Sequence, residues 1–288
     1  MNDQPQKKFS LALTIDAASA GTACDILAAR SGLSKLQVKD AMLKGAVRLI
    51  QGRQQRVLRR AKAELKPGDR VELHYDAAIL ALDPPRAACL ADEQRYSLWH
   101  KPPGLLTQGS LYGDHCSLLR QAEKHFTPPR AALPVHRLDR EACGLVLIAH
   151  DRESAAKLSQ LFQDKAIAKF YQVKATGRFA APRGDIEQAL DGKPARTEYE
   201  VLDYDPETDI STLRVQLHTG RKHQIRRHLD AIGHPVLGDP AYGSGNKHPA
   251  GLQLVAVELA FTCPLTGRPR HYRLPAEYFP GDHSAAAA

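Results

Sequence analysis

The chain has 288 residues, 43% of them hydrophobic and 25% charged, with a formal net charge of +8 at pH 7. Those values fit a globular protein with one large domain, or a large one and a small one, and exclude a low-complexity or collagen-like chain. The positive surplus favours polyanionic partners, because neutralising a phosphate backbone releases its counterions, but it does not by itself separate nucleic-acid binders from other basic proteins.

The five cysteines (Cys24, Cys89, Cys116, Cys143 and Cys263) are odd in number, widely spaced and without a CxxC pair. That argues against a disulfide framework or structural zinc and for a reducing, cytoplasmic setting. No apolar run reaches membrane-spanning length, and the N-terminal one is too short and broken for a signal peptide. Residues 1–8 and those after Pro280 are expected to lack fixed structure.

Residues 9–80 read as a small basic domain. Thr22 suits a helix N-cap, and Gly32 ends that helix. Ser34 caps a second, with Leu36, Val38, Met42 and Leu43 as its apolar positions and Gly45 as its stop. Val47–Ile50 reads as a strand, and Leu65-Lys66-Pro67-Gly68-Asp69 as a turn into another. Basic residues crowd this block with few acids between them. Lys35, Lys39, Lys44, Arg48, Arg53 and Arg56 are the candidates for a phosphate-binding surface rather than a merely solvated face. Residues 81–95 read as a linker. A second domain over 96–280 opens with the strand Tyr96–His100, which Lys101-Pro102-Pro103-Gly104 cuts off. Residues 117–125 look helical, and Gly144–Ala149 is a buried strand. Asp151 caps a helix with Ala155, Leu158, Leu161 and Phe162 on one face. Strands follow at Phe170–Ala175, around Leu213–Leu217 and within 252–261, with a short helix through Ile225, Leu229 and Ile232. Short strands with scattered helices predict an α+β fold with a mixed sheet. No glycine fingerprint of a dinucleotide fold or P-loop occurs at the required place.

Asp139 lies just before the buried strand, beside His136 and Arg137. It reads either as a turn aspartate among surface charges or as a carboxylate fixed by the sheet for catalysis. Tyr171 reads as a core tyrosine or as a platform for a base, and Lys169 as a phosphate contact or a solvated lysine. The segment Leu217–Leu229 is a strand, a glycine turn and a helix start, rich in Arg221, Lys222, Arg226 and Arg227. Such a start offers amide donors to an anion, and an arginine here could orient a catalytic carboxylate. His223 and His228 are five apart, which does not align them as a metal pair, and no HExxH occurs. Asp114, Asp139, Asp185 and Asp239 likewise lack the spacing of a metal-dependent nuclease. Cys143 reads as a small packed residue rather than a nucleophile. Gly233–Gly243 reads as a loop of fixed turns.

From Tyr96 to Pro280 the chain resembles the RluA-type pseudouridine synthases. The resemblance runs through Lys101-Pro102-Pro103-Gly104, HRLDREACGLVLIA at 136–149, Lys169-Phe170-Tyr171, DGKPARTEYEVL at 191–202, LHTGRKHQIRRHL at 217–229 and GHPVLGDPAYG at 233–243. The N-terminal block is similar to an S4 RNA-binding domain in GLSKLQVKDAMLKGAVRL and LKPGDRVEL. The resemblance implies a catalytic domain with a mixed, mainly antiparallel sheet beside a small α+β S4-like domain. It implies that uridine in RNA is isomerised: the N1–C1′ bond breaks, the base turns and rejoins through C5. It places the essential aspartate on Asp139, the base-contacting tyrosine on Tyr171, the aspartate's partner on Arg226 and a pocket-lining leucine on Leu254. Arg137, His136, Lys169, Arg221, His223 and Gln224 join them as substrate-binding candidates. No metal, organic cofactor or obligate protein partner is implied, and a monomer is the family default. Large-subunit ribosomal RNA is the expected substrate. Transfer RNA, and a catalytically silent RNA-binding or ribosome-assembly role, are the alternatives. Where the family has threonine, serine and a basic residue, this chain has Ala142, Cys143 and His150. Val255 and Cys263 also depart from the pattern, which bears on subfamily and target rather than on chemistry.

Overall fold

The structure is a computed structural model describing residues 7–17 and 21–279. Most of the two ends expected to lack fixed structure lies outside those residues. Lys8 is a correction: it opens a strand and pairs with Asp76 at 3.2 Å.

The chain forms two compact units, one of residues up to Pro84 with Gln108–Gln121, the other of Pro85–Thr107 with residues from Ala122 onward. The first contains β1 (Lys8–Thr14), α1 (Ala23–Ser31), α2 (Lys35–Leu43), β2 (Val47–Gln51), β3 (Gln54–Val57), β4 (Arg70–Asp76) and α3 (Ala77–Leu80). Its antiparallel sheet runs β1-β4-β2-β3. Thr22 and Ser34 both cap through reciprocal bonds with the residue three positions on, and Gly32 closes α1 in the left-handed region, so local chemistry sets these helix limits. Strand β1 was not expected. Its Phe9, Leu11 and Leu13 alternate with the exposed Ser10, Ala12 and Thr14 and pack against a core of Leu27, Val38, Met42, Val47, Val71 and Leu73. Leu36 and Leu43, expected to face that core, are 77% and 63% exposed. Val38, Ala41 and Met42 already fill the inward face, and the helix period leaves those leucines outside it.

The second unit holds β5 (Ala88–Asp92), β6 (Tyr96–Lys101), β7 (Leu133–Pro134), β8 (Cys143–Ala149), α5 (Arg152–Gln163), β9 (Ala168–Thr176), β10 (Arg183–Ile186), β11 (Thr197–Asp205), β12 (Ile210–Leu217), α6 (Gln224–Ala231), β13 (Leu254–Thr262) and β14 (Pro269–Arg273). Helix α4 (Leu118–His125) covers the point where the chain passes from the first unit to the second. The sheet runs β10-β11-β12-β9-β13-β8-β6-β5, with β14 on β13 and β7 on β8. Among the described residues only β8 and β13 run parallel, so the sheet is mixed and mainly antiparallel, as expected. The linker expected over 81–95 contains β5, which pairs with β6 through a bulge. This edge strand is half-buried from Ala88 to Ala91 and exposed at Asp92, so it carries no alternating pattern to betray it.

The apolar run at 143–149 is the central strand β8, buried at every residue. One face meets Leu158, Val255 and Leu259. Ile225, Leu229, Val173, Val215 and Leu254 form a second core with α6. Gly144 is required where β8 meets β13: its φ is +114°, and a Cβ there would lie 2.3 Å from the Ala256 carbonyl oxygen. That close approach sets the start of β8, and the residues just before it form the loop carrying Asp139.

Candidate active site

Residues 135–142 connect β7 to β8, and bonds on both sides of Asp139 pin their backbone. The Thr107 hydroxyl donates to the Leu138 carbonyl at 2.9 Å and accepts from the Leu138 amide at 3.1 Å. Lys101 is fully buried, and its ammonium donates to the carbonyls of Pro102, Leu105 and Arg140 at 3.1, 2.8 and 3.2 Å. Burial lowers its pKa to about 8. Gly104 also donates to Arg140. The KPPG turn that ends β6 thus becomes a brace for the Asp139 loop. The turn is legible in the sequence, whereas the roles of Lys101 and Thr107 are not.

Asp139 faces a cavity of about 810 Å³ whose lining includes every catalytic and substrate-binding candidate named from the sequence. Its side chain is 19% exposed, and one carboxylate oxygen accepts from Arg226 Nη1 at 3.3 Å. Arg226 lies in the first turn of α6 with its side chain only 2% exposed. Asp239 also holds it, accepting from Nε at 2.6 Å and Nη2 at 2.7 Å. Asp239 is itself fully buried and further accepts from the Ala241 and Tyr242 amides. The buried guanidinium therefore donates hydrogen bonds to two carboxylates, one inside the protein and one at the cavity. Asp239 and Tyr242 belong to the Gly233–Gly243 loop, which the sequence suggested was rigid without indicating what it held.

The other oxygen of Asp139 lies 3.7 Å from His223 Nε2, and His223 Nδ1 meets the Tyr242 hydroxyl at 3.0 Å. His223 has a left-handed backbone, φ +53°, just before α6. Burial lowers its pKa although Asp139 pulls the other way. Tyr171 lies on β9 in the same cavity lining; burial, then the charge of Asp139, raises its hydroxyl pKa, so it remains protonated at neutral pH. Leu254, Ile225 and Ala142 add apolar wall, while Lys169, Arg137 and Arg221 add positive charge. Burial, then Lys165, lowers the Lys169 pKa.

Three candidates stand differently from expectation. His136 lines the cavity, but its Nε2 accepts from the Leu147 amide at 2.9 Å and its ring stacks on Phe162 at 4.3 Å. Burial, then Lys169, lowers its pKa to about 3, so this neutral ring braces the loop. Gln224 is buried and fully committed: Oε1 accepts from Thr219 and the Arg221 amide, while Nε2 donates to the Arg196 carbonyl and Thr197. It fixes the turn that presents Arg221, Lys222 and His223. In the N-terminal unit, the Lys44 ammonium is spent on Asp40 and the Leu80 carbonyl, at 2.9 and 2.7 Å. Lys39, Arg53 and Arg56 are exposed, Lys35 pairs with Asp25 at 2.6 Å, and Arg48 is half-buried. Cys143 is 1% exposed, and burial raises its pKa to about 11, so it is a packed thiol. His228 spends both ring nitrogens on Thr197 and the Gln188 carbonyl.

A family profile described as RNA pseudouridylate synthase matches residues 95–231. The dual-specificity RNA pseudouridine synthase RluA of Yersinia pestis is 32% identical over 66% of this chain and 98% of its own length. An uncharacterized RNA pseudouridine synthase of Aquifex aeolicus is 31% identical over 65% of this chain, which spans 66% of that protein's length. Human RNA pseudouridylate synthase domain containing 1 shares the fold, with a TM-score of 0.58 and 21% identity over 67% of this chain and 86% of that one. The profile match, a relative 32% identical over 98% of its own length and the fold shared with the human protein lead to one conclusion: the chain belongs to the RNA pseudouridine synthase family.

Proposed function

We propose that the protein isomerises specific uridines in structured RNA to pseudouridine, with large-subunit ribosomal RNA as its substrate. The observation that carries this reading is Asp139, held at the cavity by Arg226 and accompanied by Tyr171 and Leu254. A uridine must leave its stack to enter, and a cavity with apolar walls, a tyrosine and a basic rim suits a flipped nucleotide. Asp139 acts on the sugar, either by bonding C1′ or by taking the 2′ proton, while the N1–C1′ pair leaves with the base. After the base turns, C5 bonds C1′ as the Asp139–C1′ bond breaks, or as Asp139 returns the 2′ proton; C5 then loses its own proton and restores the ring double bond, and N1 gains a proton. The isomerisation is proton-neutral and needs no redox partner. Tyr171, protonated and half-buried, covers the base, and Lys169, Arg137 and Arg221 meet the displaced backbone.

The first unit acts as an S4-like RNA-binding module in this reading, through Lys39, Arg53, Arg56 and their basic neighbours. The ribosomal assignment rests on pairing that basic unit with the uridine cavity. The test is Asp139→Ala in the full-length protein. Isomerisation should vanish while RNA affinity is largely kept. A variant that forms pseudouridine at the normal rate refutes the role of Asp139. Pseudouridine mapping in cells lacking the gene separates ribosomal from transfer RNA, and no lost site in either would favour a silent binding protein.

A further inference from the structure

A second cavity, about 900 Å³, adjoins the first and shares Lys165, Leu217 and Thr219 with it. Its walls are largely apolar, with Ile167, Ala168, Pro194, Ala195 and Leu217 among them. Its other charged groups are answered within the protein. Arg196 pairs with Asp185 and Glu187 at 2.8 and 3.4 Å, and His218 meets Glu198 at 3.0 Å. Lys165 differs: it is exposed and makes no ion pair among the described residues. It lines both cavities, at the boundary between them, close enough to Lys169 for their charges to interact.

The backbone of Lys165 points the same way. It follows the C-cap Asp164 of α5 with φ +58°, and the next amide, of Ala166, donates back to the Leu161 carbonyl at 2.9 Å. That is the turn in which glycine normally takes the left-handed position. A lysine here is disfavoured locally, and its side chain plays no part in the turn. Strained side chains of this sort gather at functional sites.

We propose that the second cavity seats the base of the nucleotide adjoining the target uridine, with Lys165 contacting the phosphate that links the two. The proposal rests on the first cavity being the uridine pocket. Extracting a uridine removes a stacking partner from its neighbour, and an apolar seat replaces the lost contact. A single ammonium at the boundary meets the one anion that must cross it.

The test is Lys165→Gly in the full-length protein, with an RNA hairpin carrying one target uridine. Relief of the positive φ predicts a melting temperature at or above that of the native protein. The Michaelis constant should nonetheless rise several-fold, and the salt dependence of affinity should fall by about one unit of log–log slope. Lys165→Arg should restore both. In the native protein, an abasic nucleotide on one side of the uridine should raise the Michaelis constant as well. An active native protein whose K165G variant keeps its Michaelis constant and salt slope overturns the phosphate contact. Indifference to abasic neighbours on both sides overturns the base seat. A native protein that forms no pseudouridine in any RNA overturns instead the reading of the first cavity on which the proposal rests.

Discussion

Asp239→Asn probes the one carboxylate in the site that cannot touch RNA. In the native structure Asp239 and Arg226 form a two-pronged pair with side chains 0% and 2% exposed. Asparagine keeps the shape but places an amide nitrogen against a guanidinium nitrogen, so one prong is lost and the buried cation loses its neutralising partner. Removing one member of a buried pair costs about 3–5 kcal/mol. Asp139 remains 3.3 Å and Glu141 3.9 Å from Nη1, which favours the lower end of that range. At roughly 2–4 °C per kcal/mol for a unit of this size, the melting temperature should drop by about 6–12 °C. Activity should fall too, because Arg226 no longer meets Asp139 from a fixed direction. The loss should appear in kcat more than in KM, since neither Asp239 nor Arg226's inner prongs face the cavity. Thermal melts followed by circular dichroism, with release of tritium from RNA labelled at uridine C5, read both effects. An Asp239→Asn protein that melts with the native one would show that the buried arginine is not held by this pair. Asp139→Ala is the contrast, since it leaves the Asp239 pair intact and should shift the melting temperature little.

Two other predictions follow from the braces of the Asp139 loop. Thr107→Val keeps shape but strips the Leu138 amide and carbonyl of their partner, which should cost about 2–4 kcal/mol and lower activity by displacing Asp139; a variant with native stability in urea titration would exclude Thr107 as a brace. His136 has a folded pKa of about 3 against an ordinary value of 6.5. Below pH 6.5 the unfolded chain therefore takes up a proton that the folded one refuses, and stability falls as pH drops, until about pH 3. The loss is about 1.4 kcal/mol per unit, or about 2 kcal/mol by pH 5. His136→Asn retains an acceptor for the Leu147 amide and should flatten the acid limb of stability against pH. His100, which burial lowers to about 4, is present in both proteins and cancels in the difference. An acid limb as steep in the variant as in the native protein would assign the effect elsewhere.

What could be read from the sequence divides along physical lines. Thr22, Ser34 and Asp151 were legible as caps because a cap is a contact among residues three or fewer apart. The GLVLIA run was legible because a strand buried on both faces needs no alternation. Asp139, Tyr171 and Arg226 were placed by family motif, and the structure brings them to one cavity although 87 residues separate Asp139 from Arg226. Strands β1 and β5 were missed because one lies at the weakly apolar start of the chain and the other on a half-buried edge. Leu36 and Leu43 were misjudged because an apolar residue at roughly helical spacing need not face inward. Polar residues were hardest. His136, Gln224 and Lys44 look like ligand contacts in sequence, yet their partners are backbone groups and side chains of the protein itself. Lys101, Thr107 and Asp239 looked unremarkable because what matters about them is the distant group each one holds.

The shared guanidinium has a consequence for turnover. Any step that discharges Asp139, whether by a bond to the sugar or by uptake of a proton, would strand a buried cation if Arg226 had no other neighbour. Asp239 is that neighbour, with 2.6 and 2.7 Å bonds that do not involve the cavity. Arg226 therefore keeps a buried counter-ion whether Asp139 is charged or neutral. Discharging Asp139 then costs one ion pair at the cavity and does not strand a buried cation.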